Sequence, residues 1–146
     1  MDFILIGGVA AATYGSTHLT QDVDVVYARN PENLVRLTAA LAPLDPRLRG
    51  AAPGLQFRWS VEILEGGLNF TLTTALGDLY LLGEIAGGGR YEDLFEDTIV
   101  LRVFGIQCRC VTLRPWLLSI LGSTAQSHPV TCPQSRQAGC TSSAPA

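Results

Sequence analysis

The sequence predicts an α/β (α+β) domain, in which a mixed β-sheet is flanked by helices. Short apolar segments bounded by Gly, Pro, Asn or Asp recur as far as residue 111, which is the pattern of strands joined by turns. Among them, leucines spaced three or four positions apart predict an amphipathic helix. A length of 146 residues with 47% apolar content is sufficient for one domain with a hydrophobic core.

The first part of the chain predicts two strands and two helices. Both strands are short apolar segments, and in the second one acidic residues alternate with valines. The second helix begins after Asn30, a good N-cap, with Pro31 in its first turn. Its apolar face ends near Pro43 and Pro46. The predicted elements are strand 3–6, helix 9–14, strand 22–27 and a helix whose apolar face is Leu34, Leu37, Leu41 and Leu44.

The second part predicts mainly strands, after a loop over residues 45–58 that is rich in Pro, Gly and Arg. The predicted elements are helix 60–65, strands 70–73 and 79–82, helix 91–96, a hairpin of strands 99–104 and 106–111, and a last helix over 113–121. From residue 122 onward the chain consists largely of Ser, Thr, Gln, Pro, Gly and Ala. We therefore expect a domain over 1–121 and a disordered, low-complexity tail over 122–146.

Charge and composition exclude several classes of function. All ten basic residues are arginine, which excludes a P-loop lysine, a Schiff-base lysine and a lysine general base. The formal net charge of −3 gives no general attraction to nucleic acid. No apolar run reaches the roughly 18 residues that span a bilayer, and no basic segment precedes the first apolar run. We therefore expect a cytoplasmic protein without a membrane partner.

The most informative segment is Gly7-Gly8 followed by Asp22 and Asp24. Residues i and i+2 of a strand share a side, so the two carboxylates lie about 6–7 Å apart along the backbone. Such a pair is unfavourable unless a cation separates the charges, and Mg²⁺ accepts oxygen ligands while leaving positions for phosphates. The glycines let the backbone approach a phosphate closely. Taken singly, each pattern is also typical of an ordinary turn or a solvated strand edge, but together they predict a magnesium-dependent phosphate site.

These residues resemble the nucleotidyltransferase superfamily with the polymerase-beta-like fold, and within it a small prokaryotic branch that includes abortive-infection-type toxins. The resemblance is carried by residues 6–16 and 20–26 and runs from about residue 3 to residue 111. It implies that Gly7 and Gly8 bind a nucleoside triphosphate such as ATP. It also implies that Asp22 and Asp24 bind two Mg²⁺ or Mn²⁺ ions, roughly 3.5–4 Å apart. The implied reaction transfers a nucleoside monophosphate to an acceptor of unknown class, whether protein, RNA or small molecule.

The resemblance further implies a third metal-binding carboxylate on a neighbouring strand. The corresponding position is Tyr80, a poor ligand for Mg²⁺ because a phenol ionises only near pH 10. Asp78, two residues earlier on the same strand face, is the alternative ligand, or else it ends a turn. His18 takes the place of a basic residue that contacts phosphate, the alternative being an exposed loop histidine. Three arginines are further candidates for phosphate neutralisation, with a solvated surface position as the alternative: Arg58, Arg90 and Arg114.

The resemblance stops near both ends of the chain. The first strand begins at residue 3, and the segment from Arg114 onward departs from the family pattern, so we expect a fold truncated at both ends. Three interpretations are open. The chain is a magnesium-dependent nucleotidyltransferase, a catalytically degenerate module that binds a partner protein as in a toxin–antitoxin pair, or the remnant of a truncated gene.

Overall fold

A computed structural model describes residues 1–17, 20–52, 57–103 and 105–112. It confirms the predicted α+β class, because the described residues form a seven-stranded mixed sheet and four α-helices. The strands are β1 (Phe3–Ile6), β2 (Asp22–Tyr27), β3 (Arg47–Leu48), β4 (Asn69–Thr74), β5 (Gly77–Leu82), β6 (Thr98–Val103) and β7 (Ile106–Val111). The helices are α1 (Gly7–Thr13), α2 (Pro31–Leu41), α3 (Val61–Gly66) and α4 (Tyr91–Leu94).

Several boundaries differ from the predicted ones, and three of these differences bear on the architecture around the predicted site. Helix α1 begins at Gly7, two residues early, because Gly7 adopts a φ of +62° and turns the chain directly out of β1. Strand β3 lies inside the segment predicted as a loop. Helix α2 ends at Leu41 and continues as a 3₁₀ turn rather than as α-helix. The predicted last helix over 113–121, the tail over 122–146 and the boundary between them lie outside the described residues.

The strand order is β3-β4-β5-β2-β1-β7-β6. Strand β1 pairs antiparallel with β2 and parallel with β7, and β2 pairs parallel with β5. The carboxyl end of β1 therefore lies beside the beginnings of β2 and β5. This end of the central strands carries Ile6, Asp24 and Tyr80 in register across three strands, with Asp22 opposite Asp78.

The core consists of the central strands and the apolar face of α2. Ile4, Val26 and Tyr27 have no exposed surface, and each buried side chain of this size contributes about 1.5–3 kcal/mol. The predicted helical spacing is confirmed, because α2 buries three of the four predicted leucines. These are Leu34, Leu37 and Leu41.

Two polar side chains fix α2 and α3 to the sheet. Asn33 of α2 is buried, and its amide nitrogen donates to the carbonyls of Asp2 and Ala28, both at 2.9 Å. Arg29 follows β2, and its guanidinium donates to backbone carbonyls at the end of α3. These carbonyls belong to Leu64, Glu65 and Gly67. A cation at a helix carboxyl end satisfies carbonyls that have no partner within the helix.

Within the ranges that the structure describes, no helix combines the length and the apolar character needed to cross a membrane.

Candidate functional site

The Gly7-Gly8 pair forms the beginning of α1, directly above β2. Residue Ile6 is extended, and Gly7 then takes the left-handed conformation that favours glycine. A Cβ atom on Gly7 would overlap the Asp24 carboxylate, and one on Gly8 would overlap the Thr20 side chain. In this structure the missing side chains therefore make room for Asp24 and Thr20 against the backbone.

Asp22 and Asp24 lie on one side of β2, as the alternation predicts, and both are partly buried. We term the side of the sheet that carries Asp22, Asp24, Asp78 and Tyr80 the acidic face. The Thr20 hydroxyl donates to the Asp22 carboxylate and also lies 3.2 Å from the Asp22 carbonyl oxygen. The backbone N–H of Gly8 donates to the Asp24 carboxylate. The beginning of α1 and Thr20, two residues before β2, thus orient the two carboxylates.

Among the described residues, neither Asp22 nor Asp24 forms an ion pair with a basic side chain. Burial, and after it the charge of Asp22, raise the pKa of Asp24 from its ordinary value of 3.8 to about 6. The hydrogen bond from Gly8 lowers the pKa but does not offset these two effects. A site with this electrostatic character gains free energy when a cation binds.

Strand β5 brings Asp78 and Tyr80 beside the aspartates of β2. Asp78 is in register with Asp22, and Tyr80 with Asp24, so the four residues share the acidic face. The Asp78 carboxylate has partners of its own. One oxygen accepts a hydrogen bond from the Thr73 hydroxyl at 2.9 Å, and the other lies 3.2 Å from a guanidinium nitrogen of Arg49.

Arg49 is a residue of the acidic face that the sequence did not indicate. Its backbone N–H donates to the Thr71 carbonyl at 2.9 Å, which extends the pairing of β3 with β4. Its Nη1 then donates to the Tyr80 hydroxyl at 2.7 Å and reaches Asp78 as well. Among the arginines proposed from sequence, Arg90 pairs instead with Glu84 at 3.1 Å. Only the strand pairing could have identified Arg49.

The donor set suits a hard divalent cation at Asp22 and Asp24. Both residues offer carboxylate oxygens, which Mg²⁺ and Mn²⁺ prefer. In the described part of the chain, no three His, Cys, Asp or Glu side chains are grouped so that they could hold a metal ion. Asp78, the predicted third ligand, contacts Arg49 and Thr73.

Two further features bear on the predicted site. His18, predicted to contact phosphate, lies outside the described residues. Two cavities of about 600 and 240 Å³ lie in other parts of the molecule, the larger beside Leu48 and Trp59 and the smaller beside Phe3 and Tyr91. The four residues of the acidic face line neither cavity. The acidic face is a candidate site because of its charge and its geometry.

No protein-family model matches the chain, and no curated protein matches it. The resemblance to nucleotidyltransferases therefore rests on the residues themselves, chiefly the Gly7-Gly8 pair and the two aspartates of β2.

Proposed function

We propose that the chain has the polymerase-beta-like nucleotidyltransferase fold and is a cytoplasmic, magnesium-dependent nucleotidyltransferase. It transfers a nucleoside monophosphate from a triphosphate such as ATP to a protein, RNA or small-molecule acceptor. The observation that supports this most directly is the position of Asp24. Its carboxylate lies against Gly7-Gly8 and beside Asp22, and burial raises its pKa to about 6.

The residues of the site have separable roles in this proposal. Asp22 and Asp24 hold the ion through carboxylate oxygens, and Thr20 and the N–H of Gly8 fix the orientation of those carboxylates. When bound, Mg²⁺ or Mn²⁺ neutralises triphosphate charge and favours an acceptor hydroxyl as nucleophile. The chain's own contribution is positioning and electrostatics, which dominate catalysis of phosphoryl-group transfers.

A second candidate function is a catalytically degenerate module of the same fold that binds a partner protein, as in a toxin–antitoxin pair. One observation favours it. The β5 residue in register with Asp24 is Tyr80, and Asp78 is paired with Arg49. In this alternative the acidic face no longer binds a nucleotide, and Asp22 is not required for binding the partner protein.

Calorimetric titration with a non-hydrolysable ATP analogue tests the proposal. We expect wild-type protein to bind the analogue only when Mg²⁺ is present, and Asp22→Asn/Asp24→Asn to lose that binding. The matched control is Asp45→Asn/Glu92→Gln, which removes the same charge at two exposed positions and should bind as wild type does.

Three outcomes are informative. Binding that requires both the ion and the aspartates supports a nucleotide site. Binding that is equally lost in the control variant indicates a general charge effect and contradicts the proposal. A wild-type protein that unfolds cooperatively but binds no nucleotide favours the partner-binding module.

A further inference from the structure

The β5 side of the acidic face carries a fixed positive charge. Asp24 is in register with Tyr80, and Asp22 with Asp78, so a carboxylate at position 80 would lie directly beside Asp24. That position has a phenol instead. The Tyr80 hydroxyl accepts a hydrogen bond from Nη1 of Arg49 at 2.7 Å.

Several contacts hold the Arg49 guanidinium in this position. Its Nη1 lies 3.2 Å from the Asp78 carboxylate, and the guanidinium carbon lies 5.9 Å from the centre of the Tyr80 ring. The backbone of Arg49 is anchored to Thr71 of β4. The side chain keeps 48% of its surface exposed, so it is accessible to a ligand on the acidic face.

This arrangement disfavours a second divalent ion beside β5. Both oxygens of Asp78 already have partners, Thr73 for one and Arg49 for the other. A second ion bound there would meet a like charge within a few ångströms, and Coulomb repulsion at such a distance is strong near a protein surface. Among the described residues, no ion pair joins Arg49 to Asp22 or Asp24 on the β2 side.

We infer that Arg49 takes the place of a second metal ion, so that the acidic face binds one divalent cation per chain. The inference rests on the proposed function, since it presupposes an ion at Asp22 and Asp24. Arg49 supplies from the protein the positive charge that a second ion would bring. A guanidinium suits this role because it is permanently charged and its N–H groups match phosphate oxygens. In this role Arg49 binds the nucleotide and neutralises part of its phosphate charge.

Counting Mn²⁺ on the full chain by electron paramagnetic resonance tests this inference without measuring activity. Wild-type protein is expected to bind one Mn²⁺, and Tyr80→Asp is also expected to bind one, because Arg49 then pairs with both acids of β5. Arg49→Gln/Tyr80→Asp is expected to bind two. Two ions about 4 Å apart would also show spin coupling in the spectrum. The matched control is Arg47→Gln/Tyr80→Asp, which removes an arginine two residues before Arg49 that pairs with Asp45 and is expected to bind one.

The outcomes separate this inference from the proposed function. Two ions on the wild type, or one on Arg49→Gln/Tyr80→Asp, overturn the role of Arg49 but leave the metal site at Asp22 and Asp24 intact. No ion on the wild type overturns the metal site itself and the inference with it. If the Tyr80→Asp variants do not unfold cooperatively, Arg49→Glu alone serves as the test. It alters one half-exposed side chain and is expected to bind two ions, and a count of one contradicts the inference.

Discussion

Two arginine–tyrosine pairs of nearly identical geometry lie in different parts of this molecule. In the first, Nη1 of Arg29 donates to the Tyr27 hydroxyl at 2.8 Å, with the guanidinium 5.8 Å from the ring centre. In the second, Nη1 of Arg49 donates to the Tyr80 hydroxyl at 2.7 Å, with the guanidinium at 5.9 Å. The pairs differ in what surrounds them.

The Arg29 pair is surrounded by backbone. Tyr27 has no exposed surface, its hydroxyl donates to the Leu68 carbonyl, and Arg29 donates to Gly67 and other carbonyls at the end of α3. The Arg49 pair contacts the Asp78 carboxylate, and the Arg49 side chain is half exposed. The comparison shows that one pairing of side chains stabilises the fold where carbonyls accept its hydrogen bonds. The same pairing places a positive charge at the candidate site where the partner of the arginine is the Asp78 carboxylate.

The largest expected difference is in stability. Arg29→Met should lower the free energy of unfolding by about 2–3 kcal/mol, because several carbonyls and the Tyr27 hydroxyl lose a charged donor. Arg49→Met should lower it by less than about 1 kcal/mol, because its ion pair with Asp78 is largely exposed. Urea denaturation followed by circular dichroism measures both values.

The control for this comparison is Arg36→Met, which removes an ion pair with Asp2 whose side chains are 50% and 47% exposed. Its effect should match that of Arg49→Met. Equal losses for Arg29→Met and Arg49→Met would show that the carbonyl contacts of Arg29 contribute nothing particular to the fold.

The sequence predicts those parts of the fold that local chemistry determines. Helix α2 begins where Asn30 accepts a hydrogen bond from the Asn33 N–H, and its leucines are buried as their spacing predicts. The alternation of Asp22 and Asp24 places both on one side of β2. In each case the signal lies within a few consecutive residues.

The sequence could not predict what distant strand pairing determines. Strand β3 has two residues, too few for any alternation, and its position follows from pairing with β4. Arg49 reaches the acidic face only because β4 then pairs with β5. For the same reason the contact of Gly7 with Asp24 depends on the register of β1 with β2, which no local pattern contains.

A second prediction concerns the packing of the acidic face. Gly7→Ala should lower the free energy of unfolding by about 2 kcal/mol or more, because it combines left-handed strain of about 1–2 kcal/mol with an overlap on Asp24. Gly50→Ala should cost only the strain, since Gly50 has a φ of +71° and nothing within 4 Å of an added Cβ. Thermal and urea denaturation of both variants measure the difference.

Equal effects at Gly7 and Gly50 would mean that Asp24 moves aside freely and that α1 does not fix its carboxylate. The proposed metal site would then lose one of the contacts that orient it. A larger effect at Gly7 indicates that the Asp24 carboxylate is packed in a defined position against the beginning of α1, although Asp24 is only partly buried.

The smallest expected effect is a gain in the free energy of unfolding, whereas the substitutions above lower it. The pKa of Asp24 is raised from 3.8 to about 6, so folding favours its neutral form. This contribution to stability is fully present below pH 3.8 and is lost as the pH rises through 6. This difference between the two pKa values corresponds to about 3 kcal/mol for a fully buried group. Because the Asp24 side chain is partly exposed, we expect a contribution of about 1–2 kcal/mol. Asp24→Asn, which stays neutral, should therefore stabilise the metal-free protein by that amount at pH 8 and leave it unchanged near pH 4.

Asp78→Asn is the matched contrast, because Asp78 already pairs with Arg49 and Thr73. Its loss should destabilise the protein slightly at pH 8, by less than about 1 kcal/mol. Adding Mg²⁺ should then raise the midpoint of thermal unfolding of the wild type and of Asp78→Asn, but not of Asp24→Asn, since an ion that binds the folded state stabilises it. Stabilisation of both variants at pH 8 would contradict the distinction between Asp24, which forms no ion pair among the described residues, and Asp78, which pairs with Arg49. A gain of stability for Asp24→Asn, a loss for Asp78→Asn and a response to Mg²⁺ that requires Asp24 would together indicate two things. The Asp24 carboxylate destabilises the metal-free fold, and the same carboxylate binds the cation.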